Sequence, residues 1–491
     1  MNVKVMNQKL SEIKSDLLVV PMFKDEKTFK GLNAKLDLQI NNRIKSKKFE
    51  GNLKQMFFLS SLDEIKSETV LFCGLGDKKE FVKNNLRKFS AVVAKKAEEM
   101  KCKSVCYDLS NLKLDLSEDL ISQIIIEGAI LGTYKFKIYK TDAKERVRYV
   151  DSLLLNVNNT SLSQKGAKKG QLLAETSNYV RTLVNTPPVD MYPEKLAAEA
   201  KKIATQNKIQ IKILDKKELT KKKMNAILAV GRGSIKEPRM IMLQTNPKAK
   251  RSIALVGKGV TFDSGGLDIK PWPHMKDMKC DMAGAATVLG AVAYAAKMKL
   301  PINVIGVLGA VENMPGPDSY KGGDVIKSYM GKTLEVEHTD AEGRIVLADA
   351  VAYAEEQKPD AIVDIATLTG ASVVCLGFAA APFVSNNDKI KSALLEASKQ
   401  SDEIIWELPL LQEYRDAVKG VLADVKNLGS PDRAAGTITG ATFVEAFVKK
   451  TPWAHIDIGG MGWFSEEKEY VLKGGTGFGL RLFASLVENW K

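Results

Sequence analysis

Five near-continuous apolar runs constrain the fold more than any other feature: IKILD (211–215), SIALVGKG (252–259), INVIGVLGA (302–310), AIVDIATL (361–368) and WAHIDIGG (453–460). Runs of this kind suit strands covered on both faces. Between them lie helical stretches, notably MAGAATVLGAVAYAAKM (282–298) and RIVLADAVAYAEEQ (344–357). The alternation predicts an α/β architecture.

A chain of 491 residues is too long for one ordinary core. Its first part alternates again. Strands are read at 17–22, 56–60, 69–74, 104–109 and 151–157, and helices at 84–100 and 117–134. Residues 1–157 therefore read as a small N-terminal α/β domain. The polar stretch NNTSLSQKGAKKG (158–170) reads as a linker, and QLLAETSNYVRTLVN (171–185) as a connecting helix. The prolines of NTPPVDMYP end that helix, because proline cannot continue it. The larger α/β domain then spans residues 186–491.

The net charge of +14 is uneven. Residues 1–150 hold 29 Lys and Arg against 20 Asp and Glu, a net of +9. Such a surface could meet DNA, or could simply be a lysine-rich solvated face. No apolar run reaches the ~18 residues that span a bilayer. The N-terminus has neither an apolar core nor a small-residue cleavage site, so a cytoplasmic protein with no membrane partner is expected. The five cysteines are odd in number and scattered, which predicts free thiols. Cys102 and Cys106, one turn apart if helical, read as buried thiols rather than half a zinc site.

Several motifs fail. The GLG at 74–76 lacks its third glycine, since that position is Lys79; the GKT at 331–333 lacks an earlier one, since that position is Ile326. There is no HExxH or GxSxG, and His274, His338 and His455 lie far apart.

Two segments do carry chemistry. VGKGVTFDSGGLDIKPWPHMKDMKCDMAGAA (256–286) offers Lys258, Asp263, Lys270 and Asp281; EHTDAEGRIVLADA (337–350) offers Asp340, Glu342 and Arg344. In an extended segment Asp340 and Glu342 would share a face. Four carboxylates could hold two divalent ions, with the cations stabilising negative charge in a transition state. The plainer alternative is turn chemistry at Asp263, helix capping by Asp281 and surface charge at Lys270 and Arg344.

HTDAEGRIVLADA resembles the signature of the leucyl (cytosol) aminopeptidase family, NTDAEGR followed by Leu. The lysine-containing segment, NTPPVDMYPEKLA (185–197), DIATLTGA (364–371), ADVKNLGSPDRAAGTITGATF (423–443) and GGTGFGLRL (474–482) extend the resemblance over about residues 180–491. It implies a two-metal aminopeptidase that releases leucine and other apolar N-terminal residues by attack of a metal-bridging water. The implied ligands of two Mn or Zn ions are Lys258, Asp263, Asp281, Asp340 and Glu342, with Asp263 and Glu342 bridging. Lysine must be neutral to be a ligand. Lys270 and Arg344 become the catalytic pair, Arg344 holding a bicarbonate that acts as general base. Met278, Thr367 and Gly370 would line the substrate cleft, and the complete set argues against a non-catalytic member. The resemblance also implies an α/β N-terminal domain joined to a larger α/β catalytic domain with a central mixed sheet flanked by helices, a homohexamer and a role in peptide turnover. DNA binding on the same scaffold is the alternative. Two departures are His338 for Asn, expected to tune hydrogen bonds around the ligands, and Ile345 for Leu. Gly459 and Gly462 stand where larger residues can occur and suggest a roomier specificity pocket.

Overall fold

The structure, a computed structural model, describes residues 1–142, 147–429 and 434–491. The chain forms two compact units: Met1–Glu175 with Glu467–Leu472, and Thr176–Glu466 with Lys473–Lys491.

The first unit is built on a six-stranded sheet of order β1-β6-β5-β2-β4-β3. Its strands are β1 Asn2–Met6, β2 Leu17–Met22, β3 Met56–Ser60, β4 Thr69–Gly74, β5 Ser104–Asp108 and β6 Ser152–Asn156. All pairings are parallel except β3 with β4. The period of two is visible in β2. Leu17 and Val19 join the core formed with helices Asn84–Glu99 and Glu118–Gly132, whereas Leu18 and Val20 join the core under helix Ala34–Lys45.

One local expectation changes. The stretch 158–170 is helical from Thr160, within one helix Thr160–Asn185. The side chain of Asn159 accepts the N–H of Leu162, and the buried positions Ser163, Ala167, Gly170 and Ala174 follow helical spacing. Small residues there allow close packing: a Cβ on Gly166 would lie 1.8 Å from the carbonyl oxygen of Asp119. The strand read at 104–109 and the buried thiols both stand. Cys106 lies within β5 and Cys102 just before it, and both are buried free thiols.

The second unit has an eight-stranded sheet of order β15-β14-β17-β13-β9-β10-β8-β7. In chain order these are β7 Gln210–Leu214, β8 Arg239–Gln244, β9 Ser252–Asp263, β10 Asn303–Asn313, β13 Ile362–Ala366, β14 Ala381–Ser385, β15 Ile405–Glu407 and β17 Trp453–Asp457. The short strands β11 Val325–Lys327, β12 Thr333–Glu335 and β16 Val425–Lys426 form a separate small sheet. The four central strands β17, β13, β9 and β10 are mutually parallel, and antiparallel pairs lie outside them. Central residues such as Ala254, Val256, Val307 and Ile362 are fully buried beside residues of helix Glu342–Glu355. In such sheets the carboxyl ends of the parallel strands open onto the ligand crevice.

Candidate functional site

Lys258 lies inside β9 and Asp263 ends it. Five residues apart on a regular strand, the two would point to opposite faces. The register with β10 slips by one: Val260 pairs Val311, but Phe262 pairs Glu312, leaving Thr261 as a bulge. That extra residue returns Asp263 to the side occupied by Lys258.

Asp281 does not cap the alanine-rich helix Ala283–Lys297. It lies in a 3₁₀ turn, Met278–Met282, that precedes it. Asp340 and Glu342 are not on an extended segment. Asp340 sits in a turn and Glu342 opens helix Glu342–Glu355, which also carries Arg344. The tight turn into the helix, rather than strand pleating, brings the two carboxylates together.

The Nζ of Lys258 is 2.8 Å from both Asp281 Oδ1 and Glu342 Oε1 and donates to the carbonyl of Thr367 at 2.9 Å. This ammonium lies over the backbone of Gly343, where a Cβ would be only 2.5 Å from Nζ. The Nζ of Lys270 is 2.8 Å from Asp263 Oδ2 and also pairs with Asp340. Oxygens of Asp263, Asp340 and Glu342 lie within 4.8 Å of one another, an arrangement able to hold a metal ion. Lys258, Asp263, Asp281, Glu342 and Arg344 are buried, while Lys270 and Asp340 are half-buried.

Burial opposes charge on both lysines, yet the surrounding carboxylates outweigh it and hold both pKa values above the ordinary lysine value. Burial raises Asp281 well above the usual carboxylate range, only partly offset by Lys258. Burial, then Asp263 and Glu342, push Asp340 up to about 7. Burial lowers Arg344 to about 10, leaving it cationic near neutral pH.

Among the described residues, the buried atoms without a hydrogen-bond partner include two that point to what the site receives: Asp281 Oδ2 and Arg344 Nε. The first suits a cation, the second an anion. Four carboxylates so grouped suit a hard or borderline divalent metal, so the residues present fit the metal that the sequence implies.

Thr367 follows β13; its hydroxyl donates to Asp281 Oδ1 at 2.8 Å. Met278 is half-buried at the start of the 3₁₀ turn. Gly370 is exposed with open space where a Cβ would stand. The glycines at 459 and 462 stand at close approaches. A Cβ on Gly459 would lie 2.4 Å from the Thr369 carbonyl oxygen, and one on Gly462 2.8 Å from Thr367 Cγ2.

Sequence reasoning missed the residues behind the acids. Asn313, paired in register with Asp263, donates to Asp263 Oδ1 at 2.8 Å and to the Thr339 carbonyl at 3.0 Å. Tyr320 donates to that carbonyl at 2.6 Å. His338, by contrast, was expected to tune hydrogen bonds around the ligands, and its Nδ1 accepts the N–H of Asp340 at 3.2 Å. The available signal was the polar pair Glu312–Asn313 closing an apolar run.

Two family models match the chain. The cytosol aminopeptidase family catalytic domain matches residues 178–484, and the family's N-terminal domain matches residues 19–143. A probable cytosol aminopeptidase of Alkaliphilus oremlandii is 38% identical, covering 100% of this chain and 99% of its own. The chain belongs to the cytosol aminopeptidase family. A probable cytosol aminopeptidase of Roseiflexus castenholzii is 39% identical over 97% of this chain and 96% of the relative. Another from Aquifex aeolicus is 42% identical over 84% and 83%. Among solved structures, the bottromycin maturation enzyme BotP superposes with a TM-score of 0.86 at 29% identity, covering 96% of this chain and 99% of that one. A second BotP structure, in complex with Mn, gives 0.85 at 30% over the same shares. The protein is thus an aminopeptidase-family hydrolase of peptide bonds, with an acidic cluster that suits divalent metals.

Proposed function

We propose that this enzyme is a metal-dependent aminopeptidase releasing leucine and other apolar N-terminal residues from peptides in the cytoplasm. The carrying observation is the convergence of Lys258, Asp263, Asp281, Asp340 and Glu342, with Lys270 and Arg344, at one end of the central sheet. Lys258 and Asp281 would serve one divalent ion, Asp340 the other, and Asp263 and Glu342 both. BotP bound to Mn supports manganese; zinc shares the same donor chemistry. When bound, the ions supply an activated water at neutral pH and polarise the scissile carbonyl. Lys258 must give up its proton to become a ligand.

The remaining work falls to the chain. Asp281 receives the free α-amine of the peptide. Lys270 donates to the oxygen that gains negative charge as the carbonyl becomes tetrahedral. Arg344, whose buried Nε lacks a hydrogen-bond partner among the described residues, would hold bicarbonate, which supplies a general base. Met278 offers an apolar contact for the first side chain, beside Thr367 and Gly370. The enzyme works as a homohexamer in intracellular peptide turnover. The direct test compares leucine release from a Leu-Gly-Gly peptide and from its N-acetylated form. Cleavage only of the free amine is expected; equal rates on both would contradict an exopeptidase. The +9 charge of residues 1–150 supports a second reading, DNA binding on the same scaffold, tested by salt-sensitive retention on duplex DNA.

A further inference from the structure

Asn427 lies 83 residues beyond Arg344 and follows β16 directly. It is fully buried. Its position is set by the small sheet: β16 runs parallel to β12, and the N–H of Asn427 continues the ladder to the Glu335 carbonyl at 3.1 Å. β12 leads into the turn that carries Asp340 and then Glu342, so the same pairing brings Asn427 against that turn.

The Asn427 amide uses its full hydrogen-bonding capacity there. Oδ1 accepts the N–H groups of Glu337 at 2.7 Å and His338 at 3.3 Å. Nδ2 donates to the carbonyls of His338 at 2.7 Å and Ala341 at 3.3 Å. The main-chain carbonyl of Asn427 accepts Nη1 of Arg344 at 2.9 Å. Two N–H groups facing one amide atom and two carbonyls facing the other fix the amide's orientation. Aspartate could satisfy the first pair and not the second.

We infer that Asn427 is a positioning residue that ties the turn bearing Asp340 to Arg344, setting the acid ligands and the anion-binding cation in one register. The inference rests on the metal-dependent aminopeptidase reading and adds to it a residue that reaches neither ion nor substrate. Its side chain holds the backbone on both sides of Asp340, up to the residue before Glu342. Its carbonyl aims Arg344, leaving Nε free of any partner among the described residues. Such supporting groups orient what they touch without joining the reaction.

The test uses the full-length protein as wild type, Asn427→Ala and Asn427→Asp. Each is stripped with chelator and titrated with MnCl2 by calorimetry, then assayed for kcat and KM on leucine p-nitroanilide. Thermal melting and circular dichroism report the fold. In folded variants, Mn affinity and kcat are expected to fall about 10- to 100-fold. KM should change by less than about threefold, as for lost transition-state positioning. Asn427→Asp should lose at least as much as Asn427→Ala, because its carboxylate faces two carbonyls. A purely structural role would lower the melting temperature alone. Wild-type Mn affinity and kcat in either folded variant would overturn the proposal, as would loss of the fold in both. Wild-type protein that bound no Mn and cleaved no substrate would sink the metal reading, and this inference with it.

Discussion

Asp263 stands between Lys270, Asn313 and the N–H of Gly265, with its oxygens near those of Asp340 and Glu342. Its loss should be felt more than that of an outer residue. Replacing a ligand's supporting group already costs about 10- to 100-fold, so Asp263→Ala and Glu342→Ala should each lower kcat/KM by at least about 100-fold. Circular dichroism should show the fold retained; near-normal turnover in either variant would contradict the ligand assignment. Asp340 gives a prediction in pH. In chelator-treated protein its pKa is raised to about 7, chiefly by burial, so the folded state holds the proton more tightly than the unfolded state does. That stabilisation is present below the ordinary carboxylate range and is lost as pH rises through about 7. The metal-free melting temperature of wild type should therefore fall relative to that of Asp340→Asn between pH 5 and pH 8, and a constant difference would refute the account. The side chains at the site were legible as strings, because Lys258, Asp263, Asp281, Asp340, Glu342, Lys270 and Arg344 cluster in two short segments. Asn313 and Asn427 were not assigned roles. Their importance comes from strand pairing across 50 and about 86 residues, which no local spacing encodes.

The elements show why the strings were easier to read than their geometry. The apolar runs marked the central strands, because strands buried on both faces leave an unmistakable composition. The helix over 158–170 was hidden because its buried stripe is made of Ser163, Ala167, Gly170 and Ala174, not large apolar residues. The bulge at Thr261 was equally hidden, since a register slip is a property of two strands. It yields a sharp expectation. Deleting Thr261 would return Asp263 to the opposite face of β9, and Mn binding by calorimetry should be lost. Thr261→Val keeps the extra residue and should keep Mn binding. Deletion protein that folds and binds Mn like wild type would show that the bulge does not aim Asp263.

At the scale of the whole molecule, both family domains are present in one chain, and no helix among the described residues is long and apolar enough to cross a membrane. The proposed assembly is a hexamer of 53.9 kDa chains, about 320 kDa in all. Sedimentation velocity at micromolar concentration should show a species near that mass, and a monomer alone would remove the hexamer from the account. The central claim, a peptidase whose chemistry depends on divalent metal, is tested most directly by stripping the protein with chelator, refilling it separately with Mn, Zn, Co or Mg, and following hydrolysis of leucine p-nitroanilide. Activity should vanish on stripping and return with at least one ion. Full activity in the stripped protein, or none with any ion on this substrate and a small dipeptide panel, would contradict it.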